Sequence, residues 1–207
     1  MRLYDSIIPS GNSYKVHLLL AQLGLRYHVT DLDILSTPSQ SRTPAFLAKN
    51  PNGRIPVLEL DDGRSLPESN AILCYLAEGT PFMPVDPFER AQTLQWLFFE
   101  QYSHEPYIAV LKFWTYWGGL DKLSAEMRER VQVRGQQALD VMEQHLGQRT
   151  FFVGERYGIA DIGLFAYTQS AAAIGFHTGP AVRDWLERVR SQPHHVPIKR
   201  DPLGKAP

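Results

Sequence analysis

The chain is nearly devoid of cysteine, of long apolar runs and of net charge, and each shortage removes a class of protein. A single cysteine, Cys74, cannot build an internal disulfide framework and points to a reducing compartment. No stretch approaches the roughly 18 consecutive apolar residues of a membrane-spanning helix. The opening Met1-Arg2-Leu3-Tyr4-Asp5 turns polar too soon for the apolar core of a secretion signal. The cytoplasm is therefore the expected location, with no membrane partner. Basic residues number 21 and acidic ones 22, which leaves no electrostatic footprint for nucleic acid or an anionic lipid surface. Among seven histidines there is one adjacent pair, His194-His195, in a proline-rich tail without further ligands at suitable spacing, so no metal is expected. What remains is an ordinary globular composition, 43% hydrophobic and 21% charged, in 207 residues, enough for one or two domains.

The first third alternates strand and helix signals. Arg2 to Asp5 is a short strand; Pro9-Ser10-Gly11 breaks it; a helix follows with Val16, Leu19, Leu20 and Leu23 on one face, stopped by Gly24. Tyr27 to Leu32 is a second strand, making a βαβ unit with a parallel pair. After a Pro- and Ser-rich stretch comes a short helix at Ala45 to Lys49. Ile55 to Leu60, the turn Asp61-Asp62-Gly63 and Arg64 to Leu66 then form a hairpin, and Glu68 to Ala77 a helix. The order βαβ then ββα predicts a thioredoxin-like α/β domain over residues 1–78. Residues 79–87, with three prolines from Pro81 to Pro87, suit a linker. Beyond it strand signals vanish, and residues 88–207 are expected to be all-helical. Asp86 and Glu89 form a candidate capping box with Pro87 at the first helical position, opening a helix that runs toward Trp117 and bends near Pro106. Ser124 caps another helix, ending at Gly147, and further helices are expected over Ile159 to Ala173 and Pro180 to Arg190.

Three short segments carry chemistry. Ser10-Gly11-Asn12-Ser13 sits where strand one meets helix one. A helix N-terminus presents unpaired N–H groups and about half a positive charge, so it stabilises an anion such as a thiolate. A hydroxyl there can donate to the sulfur, although plain N-capping explains the same residues. Asn50 to Leu58 contains Ile55-Pro56 at the mouth of a strand. A cis bond there would turn the Ile55 backbone outward to pair with an extended peptide; a trans proline opening an edge strand is the simpler alternative. Pro67-Glu68-Ser69-Asn70 opens helix three, with Ser69 as its cap, and can grip a peptide's free amine through Glu68 and its carboxylate through Ser69.

In this order and on this frame, the three segments resemble the cytosolic glutathione transferase family. Ser-x-Asn at the start of helix one is similar to the serine-type classes such as theta and phi. Asn50 to Leu58 is similar to the family's cis-proline stretch, and Glu68-Ser69 to its pair for the γ-glutamyl group. Gly158-Ile159-Ala160-Asp161 falls where the family has a buried capping box, with glycine replacing the usual Ser or Thr; Asp161 can still bond back to the Gly158 N–H. The resemblance implies glutathione as substrate, no metal and a homodimer. It implies that Ser10, with Asn12 and Ser13 as close alternates, supports the thiolate, and that Arg42 or Arg54 meets the glycyl carboxylate. Ile55 would pair with the cysteinyl unit, and Glu68 and Ser69 would hold the γ-glutamyl end. No cysteine stands at the first turn of helix one, which argues against a mixed-disulfide mechanism, and Cys74 reads as a buried inert thiol.

Residues 96–117 hold nine of the chain's 23 aromatics. Core packing accounts for Trp96, Phe99 and Phe113. Tyr102, His104, Tyr107 and Trp114 are the polar-tipped candidates for an apolar cleft facing the thiol and taking a hydrophobic electrophile; part of the stripe can instead meet a second subunit. The implied reaction is conjugation of glutathione to that electrophile. Rivals on the same fold are a glutathione-dependent peroxidase or disulfide reductase, and a non-catalytic binder of ligands or protein.

Overall fold

The computed structural model describes residues 1–201 and 203–205, and the chain divides into two compact units, Met1–Glu78 with the tail from His194, and Gly79–Pro193. The expected helical domain ran to residue 207; the tail instead groups with the first unit. Among the described residues no helix is long and apolar enough to cross a membrane.

The first unit is built as β1 (Arg2–Ser6), α1 (Gly11–Gln22), β2 (His28–Leu32), a single 3-10 turn at Gln40–Arg42, α2 (Pro44–Leu47), β3 (Val57–Glu59), β4 (Ser65–Pro67) and α3 (Ser69–Ala77). The sheet order is β2-β1-β3-β4, with β1 parallel to β2 and antiparallel to β3, and β4 closing a hairpin on β3. This is the expected thioredoxin-like pattern. Leu3 pairs across β1 with Leu58, and both are fully buried with Leu18, Leu19, Ile72 and Leu73 from the helices. Each such side chain contributes about 1.5–3 kcal/mol of burial. The hairpin turns at Gly63, whose φ of +86° lies where other residues are strained and whose N–H reaches the Leu60 carbonyl at 3.0 Å. Cys74 of α3 is partly exposed, where a sealed thiol was expected.

The tail is tied down by polar contacts. The Tyr14 hydroxyl of α1 donates to the Val196 carbonyl at 2.7 Å. Lys199 pairs with Asp5 at 2.9 Å and Asp31 at 2.6 Å, and donates to the Ser6 carbonyl.

The second unit holds α4 (Pro87–Phe99), α5 (Glu105–Phe113), α6 (Ala125–Leu146), α7 (Ile159–Thr168) and α8 (Pro180–Arg190). Asp86 caps α4 through the Glu89 N–H at 2.9 Å, with Pro87 at the first position. The expected capping box is only half made: the Glu89 carboxylate goes to Arg156 instead. Between α4 and α5 the helix widens into a π turn, Glu100–His104. Pro106 has no N–H and crowds the carbonyl four residues back, so the expected bend begins a turn before it. A second π turn, Trp114–Gly118, ends this helical run.

Helix α7 is buried on every side, as the central helix of the unit must be. It ends at Thr168, short of the expected Ala173, and a separate 3-10 turn covers Ala172–Ile174. Its N-terminus is organised by Asp161, whose carboxylate accepts from Gly158 N–H at 3.1 Å, Phe152 N–H at 3.2 Å and the Trp185 indole at 2.8 Å. The glycine-capped box is therefore present. Burial pushes the Asp161 carboxyl up to about 7, against the pull of these N–H donors. Helix α8 borrows its cap: Glu143 of α6 accepts from Ala181 and Val182 N–H at 2.9 and 2.8 Å, and a Cβ at Gly179 would stand 2.2 Å from that carboxylate.

Candidate functional site

The first turn of α1 starts at Ser10, held extended at φ −101°, ψ 123°, with its hydroxyl accepting the Ser13 N–H at 3.3 Å. Ser10 is thus a working N-cap, in the short connection from the inner strand β1 to α1. Ser13 is fully buried and faces inward, toward Asp5 at the end of β1. Burial pushes the Asp5 carboxyl up, but the hydrogen bond with His17 (3.0 Å) and the charge of Lys199 at 2.9 Å hold it below its ordinary value. Of the three thiolate candidates, Ser10 and Asn12 remain partly exposed while Ser13 is enclosed.

Asn12 and Ser69 are brought together. The Ser69 hydroxyl donates to Asn12 Oδ1 at 3.2 Å, and the Lys15 ammonium, wholly buried, donates to the same oxygen at 2.8 Å and reaches Ser69 Oγ at 3.4 Å. The opening turns of α1 and α3 are stitched at this point. Ser69 is not the cap expected of it: it is the first residue of α3, and Glu68 holds the cap position without a side-chain bond. Glu68 is exposed and sits at φ 70°, ψ 109°, a region that costs a non-glycine residue of order 1–3 kcal/mol. Such strain is retained where function fixes a side chain's direction.

The Ile55–Pro56 bond is cis, as is Thr37–Pro38. The β3 ladder begins at Val57, so the Ile55 backbone lies outside it. The preceding loop is organised by buried Asn50, which accepts the Asn52 N–H at 3.0 Å and donates to the Arg54 carbonyl at 2.8 Å. Arg42 closes over this loop, donating to the Asn52 carbonyl at 3.0 Å. Gly53, at φ +63°, makes that possible, since a Cβ there would lie 2.7 Å from the Arg42 guanidinium. Arg42 and Arg54 are both exposed.

In the helical unit the four cleft candidates separate. Tyr102 is 84% exposed, and Tyr107 and Trp114 are half-buried. Trp114 lies against Gly118, where a Cβ would be 2.3 Å from its ring. His104 is fully buried, and its Nε2 pairs with the Thr168 hydroxyl at 2.9 Å, so its polar edge is turned into the helical core. The expectation of His104 as a cleft residue is corrected accordingly. Trp96 packs as expected, 4.6 Å from Phe152 and 5.2 Å from Phe99.

Sequence reasoning gave no role to Lys15, Asp5 or Lys199. A lysine flanked by Tyr14 and Val16 on a buried helix face was the available signal for the first; the other two depend on contacts distant in sequence.

Comparison with known proteins agrees with this layout. The family described as "Glutathione S-transferase, N-terminal domain" matches residues 9–78, and its C-terminal counterpart matches residues 125–188. The chain is 35% identical to the disulfide-bond oxidoreductase YfcG of Escherichia coli over 89% of this chain and 88% of the relative. A crystal structure of a glutathione S-transferase from Pseudomonas fluorescens superposes with a TM-score of 0.88 at 51% identity, covering 95% of this chain and 97% of that one. A glutathione transferase from Pseudomonas putida, solved with one glutathione disulfide bound per subunit, superposes at 0.78 with 29% identity, over 93% and 87% of the two chains. Fold, paired motifs and relatives agree: the chain belongs to the glutathione S-transferase family.

Proposed function

We propose that the protein binds glutathione along its first unit and uses the ionised thiol as a nucleophile toward hydrophobic electrophiles. The observation that carries this reading is the meeting of the first turns of α1 and α3, where Asn12 and Ser69 share a hydrogen bond at 3.2 Å. A γ-glutamyl peptide needs an anchor for its charged end and another for its sulfur, on one continuous face.

The energetics decide what the sulfur requires. Lowering a thiol from about 8.5 by two units takes about 2.7 kcal/mol. A helix N-terminus supplies about 0.3–1 kcal/mol when exposed and about 2 at best. A charge-assisted hydrogen bond, worth about 1.5–3 kcal/mol, makes up the difference. Ser10 or Asn12 provides it in this reading, with Ser13 the third candidate. Arg42 or Arg54 meets the glycyl carboxylate, the Ile55 backbone pairs with the cysteinyl unit, Glu68 takes the amine and Ser69 the γ-glutamyl carboxylate. In the chemical step the sulfur lone pair forms a C–S bond while a leaving group departs with its electrons, or the adjoining carbon takes up a proton. Tyr102, Tyr107 and Trp114 of the helical unit favour an apolar electrophile. A cytoplasmic homodimer completes the reading.

The similarity to a disulfide-bond oxidoreductase favours a second reading on the same site. Here the bound thiolate attacks a disulfide, forming a mixed disulfide and expelling one thiol. A second glutathione thiolate attacks the mixed disulfide at the glutathione sulfur, releasing glutathione disulfide and the second thiol, with no protein cysteine required. Retention on glutathione-agarose tests the shared premise. Turnover of a chloronitrobenzene, a hydroperoxide and a small disulfide, assayed side by side, separates conjugation from reduction. A chain that is not retained and turns over none of the three contradicts both readings.

A further inference from the structure

We infer that Lys15 is a positioning residue that fixes which end of the Asn12 amide faces the sulfur. The inference rests on the glutathione reading above and deepens it.

An ammonium can only donate hydrogen bonds, whereas a primary amide has an accepting oxygen on one side and a donating NH2 on the other. The Lys15 Nζ contact with Asn12 at 2.8 Å therefore dictates that the oxygen faces the lysine. The Ser69 hydroxyl donates to that same oxygen at 3.2 Å and receives Lys15 at 3.4 Å, so two donors converge on one acceptor. The amide N–H donors are thereby turned away from the seam between α1 and α3. Lys15 is completely buried and Asn12 half-exposed, so the lysine acts from beneath while the amide remains at the surface of the first turn. An NH2 group held this way stabilises a sulfur anion. The inverted amide would present an oxygen and repel it. The other charges at this end of the sheet have their own partners, Asp5 being held by His17 and Lys199. Glu68 stands one residue before Ser69, on the side assigned to the amine.

The test uses the full chain with glutathione and with S-methylglutathione, which has no thiol to ionise. Thiolate absorbance of the bound tripeptide is titrated in wild type, Lys15→Met and Lys15→Arg. Lys15→Met is expected to raise the pKa of the bound thiol by about one unit, roughly a threefold loss of thiolate at pH 7 for a bound thiol about two units below 8.5, while S-methylglutathione binds nearly as before. Arginine, also donor-only, is expected to restore most of the shift. A merely structural lysine would weaken both peptides equally and leave the thiol pKa in place, and that result overturns the inference. If Lys15→Met does not fold, Lys15→Gln fills the same channel with a group that can present either polarity. An intermediate shift supports the inference and a wild-type pKa overturns it. Failure of the wild type to bind either peptide would instead sink the glutathione reading itself.

Discussion

Replacing Ser10 by alanine removes an observed N-cap and, in the proposed reading, a hydrogen bond to the glutathione sulfur, and the two effects can be separated. The hydroxyl caps α1 through the Ser13 N–H at 3.3 Å, and loss of such a cap costs about 1 kcal/mol. In a chain of this size that lowers the melting temperature by about 2–4 °C. If the same hydroxyl also donates to the glutathione sulfur, a charge-assisted bond worth about 1.5–3 kcal/mol disappears, which raises the bound thiol's pKa by about one to two units. Ser10→Gly distinguishes the effects, because glycine costs only a few tenths of a kcal/mol as a cap. The expected pattern is a melting temperature near wild type in Ser10→Gly, a lower one in Ser10→Ala, and the same rise in thiol pKa in both. Ultraviolet titration of bound glutathione and thermal melts of the free protein supply the two readouts. A wild-type thiol pKa in both variants would refute the role of Ser10 and leave Asn12 or Ser13 to hold the sulfur.

Glu68→Gly relieves the strained φ of 70°. It is expected to stabilise the fold by up to about 1 kcal/mol after the extra chain entropy of glycine while weakening glutathione at least tenfold; unaltered affinity by calorimetry would contradict the assigned role. Gly53→Ala forces a side chain to 2.7 Å from the Arg42 guanidinium, so the KM for glutathione should rise several-fold with kcat retained, and a normal KM would exclude Arg42 from the peptide site. Lys199→Ala strips a cation from Asp5, whose folded-state pKa is depressed. A depressed carboxylate contributes stability above its unfolded value, lost as pH falls through the folded one. The variant should therefore be destabilised by about 1–2 kcal/mol near neutrality and converge on wild type in acid. A pH-independent difference in denaturant melts would show that Asp5 is not the route.

Much of the fold was legible because local signals agreed with one another. The change of hydrophobic period at the Pro81–Pro87 segment, the Asp86-Pro87 start of α4, the Gly63 turn and the Gly158–Asp161 box each have a short-range cause, and the structure holds them where expected. The failures share the opposite property. Glu89 left its capping box for Arg156, 67 residues away, and Glu143 caps α8 from another helix. The tail reaches Ser6 across 193 residues, with nothing nearby in the sequence to announce it. At the candidate site, residue types were readable and their conformations were not. The positive φ of Glu68 moved the cap away from Ser69, and a histidine that reads as a cleft residue proved to be a core partner of Thr168.

Glutathione binding with simultaneous titration of the bound sulfur tests the account most directly. Saturation at millimolar concentration or below, with a bound thiol ionising well under the free value of about 8.5, is the result predicted by a tripeptide whose sulfur lies at the first turn of α1. No uptake at millimolar glutathione, or a bound thiol with an unshifted pKa, would contradict it.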